Sequence, residues 1–327
     1  MDSSRRYRSL FWPVVLIGIG VIWLLGALGL LPVNSLATLA RLWPLILIAI
    51  GLDLLVGRRS PAIGGLIGLL VVGIAAAVLL AAPALRLPQS PGVRLDRYTE
   101  PVGQAASATV SLHLGSSPTT LSALRDSGNL VDAEIRHVGA IHFRASGDRE
   151  KTISLDETNE GVNFMFGVFE NLYWKVGLSP AVPLTLNLNS GSGSVDGDLK
   201  SLKLVKLSLD TGSGSMNLTL PESVQAYTVD AATGSGSIDL ALPASTPLAL
   251  RLDTGSGSVN VRLAPGTEAR IEVQHSGSGS VNLPSGWTQV SRGQGDEGVW
   301  ETQGYAQSTH RVLIQIADLG SGSITVR

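Results

Sequence analysis

The sequence Gly-Ser-Gly-Ser occurs six times in the second half of this 327-residue chain, starting at Gly191, Gly212, Gly234, Gly255, Gly277 and Gly320. Successive copies lie 21, 22, 21, 22 and 43 residues apart. A near-constant period of this length is the mark of a solenoid, in which each repeat is one structural unit stacked on the next. The last interval is two periods, which places a degenerate unit around Gly295–Trp300.

What each repeat does follows from its alternation. Four residues after the first glycine stands Val195, Met216, Ile238, Val259, Val281 or Ile324, always apolar. Next comes Asp196, Asn217, Asp239, Asn260, Asn282 or Thr325, always small and polar. Then follows Leu218, Leu240, Val261, Leu283 or Val326, with Gly197 the exception. This is a strand with one buried face. Pro221, Pro243 and Pro284 then end the strand, since proline has no N–H for a ladder. Before the glycines the same alternation appears in Leu207-Ser208-Leu209 and Leu250-Arg251-Leu252. Each unit therefore reads as strand, glycine corner, strand, proline turn. One unit cannot bury its apolar face alone, and stacking in register joins the apolar positions into columns. Glycine corners admit positive φ and close approach of neighbouring rungs, and the Asx column is placed to form a side-chain ladder. An antiparallel sandwich of hairpins is the alternative, but identical corners favour a parallel β-solenoid with ~21-residue rungs. The regular rungs cover 184–327 within a β domain spanning 103–327. Short strands at Ala108–Leu114, Leu130–Ile135, Ile141–Phe143 and Lys151–Leu155 are expected to be divergent rungs of the same stack.

The N-terminal part is built for a different solvent. Residues 1–85 hold only eight charges, six arginines and two aspartates. Their net of +4 within a whole-chain −2 leaves −6 for the remainder. Apolar runs at 10–31, 42–57 and 62–85 are expected to be three transmembrane helices, at about 20 residues per crossing. The middle run is short enough to be a buried core helix instead. Trp43 and the Arg58-Arg59 pair mark it as a span with interfacial anchors, and Asp53 near its end reads as a tolerated polar residue. Trp12-Pro13 and Trp43-Pro44 open two similar helices, because proline in the first turn sacrifices no bond. The arginines flank the two runs so that the N-terminus is cytoplasmic. With three crossings the β domain is then extracytoplasmic; with two it is not. A twin-arginine export reading of Arg5-Arg6 is set aside, since no cleavage site follows. The GxxxG spacing Gly64 to Gly68 is compatible with helix packing. Residues 86–102, with Pro88, Pro91 and Pro101, read as a linker.

The chemistry that the sequence suggests is mostly refused by its own repeat. Asp210-Thr211-Gly212-Ser213 and Asp253-Thr254-Gly255-Ser256 both spell the Asp-Thr-Gly-Ser of aspartic proteases. The repeat accounts for both copies, and two rungs of separation, about 10 Å, is too far to share a proton. No Walker, Rossmann or nucleophile-elbow motif occurs. Asp196, Asp198 and Asp239 do not follow the nonapeptide of calcium-binding rolls, and the five histidines show no metal-ligand spacing and read as surface strand residues. Lys200, Lys203 and Lys206 read as a solvated edge. The chain has no cysteine, which excludes thiolate catalysis and thiolate metal sites. Neither a cofactor nor nucleic acid is expected. The stretch Asn163–Trp174 gathers Phe164, Phe166, Phe169, Tyr173 and Trp174. These are candidates for an exposed partner surface; core, or a cap over the solenoid edge, is the plainer reading and the one favoured.

The paired Trp-Pro helices resemble the LiaI/LiaF-like transmembrane region. Asn171-Leu172-Tyr173-Trp174-Lys175-Val176-Gly177-Leu178-Ser179-Pro180, then Pro183-Leu184-Thr185-Leu186 and the Gly-Ser-Gly-Ser units, are similar to toast-rack and adhesin β-solenoid domains. The resemblance implies a bacterial, non-enzymatic membrane protein of cell-envelope stress-response type. Its implied partners are the lipid bilayer and a membrane histidine kinase, or further copies of itself. A surface adhesin or structural scaffold with a simple membrane anchor is the alternative. The resemblance implies no catalytic residues.

Overall fold

A computed structural model describes residues 10–27, 47–48, 50–51, 61–81, 93–125, 127–158 and 172–327. The chain divides into two compact units, with the helices in one and residues 93–160 and 170–327 in the other.

In the helical unit, Phe11–Ala27 and Pro61–Ala81 are α-helices. They pack through small residues. Val15 is buried against Ile50, Ile67 and Val71, Gly68 is buried, and a Cβ on Gly18 would collide with the methyls of Val72. Leu16, Ile17, Leu66 and Leu69 point outward and are more than half exposed. A helix pair that is apolar on its outer faces as well as its inner ones does not match a water-facing surface. Among the described residues no helix is long and apolar enough to cross a membrane. Most of the expected span 42–57, with Asp53, lies outside the described residues.

The other unit is two facing sheets, of ten and eleven strands. Its centre obeys the repeat. The Gly191 rung (Pro183–Ser190 and Ser194–Asp198) is followed by the Gly212 rung (Lys203–Thr211, Ser215–Thr219). Next come the Gly234 rung (Tyr227–Thr233, Ser237–Ala241) and the Gly255 rung (Leu248–Thr254, Ser258–Arg262). All neighbours pair in parallel, with Ser194, Ser215, Ser237 and Ser258 in one column. On the other sheet Leu186, Leu207, Val229 and Leu250 form another. These inward residues and Val195, Met216, Ile238 and Val259 are at most 1% exposed. Each such side chain contributes about 2 kcal/mol by leaving water. The proline turns are fastened too: the buried Tyr227 hydroxyl donates to the Pro221 carbonyl at 2.9 Å.

The corners show what glycine is for. The ladder continues through them: Ser213, Ser235 and Ser256 each donate N–H to the first glycine carbonyl of the preceding rung at 2.7–2.8 Å. Rungs approach so closely there that a Cβ on Gly214, Gly236 or Gly257 would strike the preceding rung's second-glycine carbonyl oxygen. Positive φ is needed only at Gly277 and Gly320 among the six first glycines. Close approach, not backbone conformation, is therefore what the central corners require.

The rung order departs from expectation at the C-terminal end. The Gly320 rung (Arg311–Asp318, Ser323–Val326) does not lie beyond the Gly277 rung (Glu268–Val273, Ser280–Asn282). It is inserted between the Gly255 and Gly277 rungs, pairing in parallel with both. The expected degenerate unit around Gly295–Trp300 is instead an antiparallel strand, Gly298–Glu301, beside Thr288–Arg292. That hairpin supplies the reason. It occupies the outer edge of Glu268–Val273, with Ile271 opposite Trp300, so the last strand pair finds its slot on the inner side.

The N-terminal end repeats the device. A Gly115 rung (Ser107–Leu114, Thr119–Ala123) lies between the Gly191 rung and an outer pair, Glu150–Thr158 and Tyr173–Leu178. Two of the four expected upstream rungs are therefore not rungs. Asn129–His137 and Ala140–Ser146 run antiparallel along the outer pair and close the end. The segment expected to be a linker contains an edge strand, Arg94–Pro101, antiparallel to Asn129–His137.

Candidate functional surface along the corners and the sheet faces

The stacked corners form a groove of about 790 Å³. Its walls are the second glycine of each rung and the serines on either side, such as Ser213, Ser215, Ser235 and Ser237. Parallel pairing repeats this set at about 4.8 Å. The groove offers hydroxyls and backbone groups and no ionisable lining residue. A serine needs an adjacent base to become a nucleophile, and no lining residue supplies one.

A second hollow of about 600 Å³ lies on the outer face of the eleven-stranded sheet. His113, Asn189, Asp210, Ala232 and Asp253 stand in one row across neighbouring strands. Asp210 accepts from Asn189 Nδ2 at 3.2 Å, and Ala232 separates it from Asp253. The two carboxylates of the protease-like motifs therefore stand two strands apart, and one sits against an amide. Lys206 pairs diagonally at 2.8 Å with Asp230, which stands in the neighbouring row. On the opposite sheet the Asx column is in register, and Asn217 Nδ2 donates to Asp196 at 3.1 Å. No group of side chains able to hold a metal occurs among the described residues.

The aromatic candidates separate. Phe164, Phe166 and Phe169 lie outside the described residues. Trp174 is fully buried in the core between strands Thr119–Ala123 and Asn129–His137, which removes it from any exposed surface. Tyr173 is half-buried; its hydroxyl donates to Glu134 at 2.9 Å, and Lys175 lies over its ring.

Two ion pairs and one histidine–carboxylate contact that the sequence did not announce hold the edge strand Arg94–Pro101. Arg97 makes two bonds to Asp132, at 2.8 and 2.6 Å, which keep that carboxyl below its ordinary range. Glu100 takes the nearly buried Lys151 ammonium, which also donates to the Pro101 carbonyl at 2.7 Å. Asp96 meets His137 Nε2 at 3.0 Å. His137, expected to be a surface residue, is 2% exposed. Nearby, Glu157 is held above the usual carboxylate range by burial. The partners are 35 to 51 residues apart in the chain; the antiparallel register with Asn129–His137 brings Asp132 and His137 into reach, and Lys151 comes from a strand of the other sheet.

The comparisons with known proteins agree with this architecture. The N-terminal domain of toast_rack (DUF2154) matches residues 92–241, and Toastrack DUF4097 matches 181–327. The LiaI-LiaF-like transmembrane region matches 10–55. No curated protein matches the chain. Similar solved structures include a "putative cell adhesion protein" from Clostridium sporogenes, 15% identical, covering 72% of this chain and 99% of its own, with a TM-score of 0.49. Another is a "putative adhesin" from Bacteroides fragilis, 13% identical over 72% and 99%, with a TM-score of 0.27. A "putative lipid binding protein" from Parabacteroides distasonis is 12% identical over 71% and 96%, with a TM-score of 0.29. At these scores the three structures carry no argument about what this chain does. In chain order, the chain is similar first to a LiaI-LiaF-like transmembrane region and then to two toastrack families.

Proposed function

We propose that this is a non-enzymatic bacterial membrane protein whose helices span the bilayer at 10–31, 42–57 and 62–85. In this reading the N-terminus is cytoplasmic and the β domain, a solenoid of regular ~21-residue rungs, stands outside the cell membrane. It senses or regulates at the cell envelope through a partner, for which a membrane histidine kinase is the first candidate. The observation that carries the reading is the union, in one chain, of a LiaI-LiaF-like transmembrane region with toastrack repeats. The uncharged serine groove supports a binding rather than a catalytic role.

Two experiments test it. Topology reporters fused after Arg59 and after Arg327 should report the cytoplasmic and the outer side respectively; the same side for both would overturn the three-span arrangement. Crosslinking and affinity capture of the full chain from native membranes should recover a histidine kinase. Recovery of extracellular matrix or cell-surface material instead would replace regulation with adhesion.

A further inference from the structure

The inserted strand pair at the C-terminal end occupies a slot that its two neighbours could close without it. Ser323, Ile324 and Thr325 face Ser258, Val259 and Asn260 on one side and Ser280, Val281 and Asn282 on the other. On the second sheet Ile314 and Gln315 lie between Leu250 and Arg251 on one side and Ile271 and Glu272 on the other. We propose that residues 311–327 are a removable wedge, and that the stack has a second closed state in which the Gly277 rung sits directly on the Gly255 rung.

The register makes that state well formed. A shift of one strand spacing, about 4.8 Å, brings Ser280 opposite Ser258, Val281 opposite Val259 and Ile271 opposite Leu250. Arg251 then faces Glu272, an opposite-charge pair across neighbouring strands, in place of Gln315 donating to Glu272 at 3.2 Å. The interval from Gly255 to Gly277 is 22 residues, the same as from Gly212 to Gly234. The hairpin of Thr288–Arg292 and Gly298–Glu301 belongs to the Gly277 rung and moves with it. Residues 302–310, mostly turns, and the turn 263–267, which crosses the wedge and donates from Leu263 N to the Arg327 carbonyl, need to rearrange. The wedge buries Val312, Ile314, Ile316, Leu319, Ile324 and Val326, so the inserted state is the resting one. The closed state is the one available before these residues are synthesised, or when their strands are held elsewhere.

Engineered thiols test this in the full chain, which has no cysteine of its own. A disulfide needs Cα atoms about 4.4–6.8 Å apart. In the resting state Ser258→Cys with Ser323→Cys should oxidise readily. Ser258→Cys with Ser280→Cys, two spacings apart, should not. Adding Ile314→Asp and Ile324→Asp places carboxylates where both side chains are fully buried and expels the wedge. The Ser258→Cys/Ser280→Cys disulfide should then form in most of the protein. A Ser215→Cys/Ser237→Cys pair in the same background reports whether the central stack persists. Loss of the 258–280 disulfide with the 215–237 disulfide retained overturns the proposal. Loss of both overturns it too, because the wedge is then needed for the whole stack.

Discussion

The centre of the β domain and its C-terminal end are made from the same motif and obey different rules. From Gly191 to Gly255 chain order and stacking order coincide, and each rung is bonded to the one before it in sequence. Past Gly255 the same Gly-Ser-Gly-Ser corners continue, but the final rung enters one place early. The difference teaches that a repeat encodes the shape of a rung and leaves its neighbour unspecified. Every rung presents the same apolar columns and the same corner, so order is decided by what blocks an edge. At both ends the blocker is antiparallel: a hairpin at the C-terminal end, and one strand on each sheet at the N-terminal end.

Four measurements break or sharpen this contrast. The largest effect is expected in the central core. Ile238→Ala should destabilise the β domain by about 4 kcal/mol, and Val281→Ala, half-buried at the end, by about 1 kcal/mol, in denaturant melts. Next come the glycines. Gly236→Ala should cost about 3 kcal/mol through its clash with the Gly214 carbonyl. Gly266→Ala has open space around it and positive φ, and should cost about 1 kcal/mol. Equal losses would mean that close approach is not what the corners select.

A smaller effect separates three buried threonines in one column. Thr254 Oγ1 donates to the Leu319 carbonyl of the inserted rung at 2.8 Å. The hydroxyls of Thr211 and Thr233 have no hydrogen-bond partner among the described residues. Thr254→Val should therefore lose about 1–2 kcal/mol, and Thr211→Val should be neutral or stabilising. The smallest effect is electrostatic and belongs to the N-terminal end. Burial raises the Glu157 carboxyl in the folded state, so the native protein takes up this proton more readily than the unfolded chain. Its contribution to stability then falls as pH rises above the unfolded carboxylate range. Glu157→Gln should raise the melting temperature at pH 8 and leave it unchanged near pH 4.

Much of this architecture was legible in the sequence because it is periodic. Corners, inward columns and proline turns recur, and a repeated pattern outvotes local ambiguity. The ends were not legible, for a physical reason. Antiparallel strands such as Gly298–Glu301 and Ala140–Ser146 carry the same alternation as parallel ones, and alternation has no direction. The serine groove follows from the corners once they are stacked. The pairs Asp96–His137 and Glu100–Lys151 do not, since long-range side-chain contacts leave no local spacing. For Trp174 the plainer of the two readings holds: alternation through Tyr173-Trp174-Lys175-Val176 puts it in the core.

The strand Arg94–Pro101 is the first element of the β domain after the helical region, and it is bonded to the sheet along one side only. Any pull transmitted down the chain from the helices arrives at Arg94. A strand at a border yields under less load than one gripped from both flanks. Detachment would therefore stop at this strand with its two ion pairs and one histidine–carboxylate contact, and the stack behind it would keep its shape.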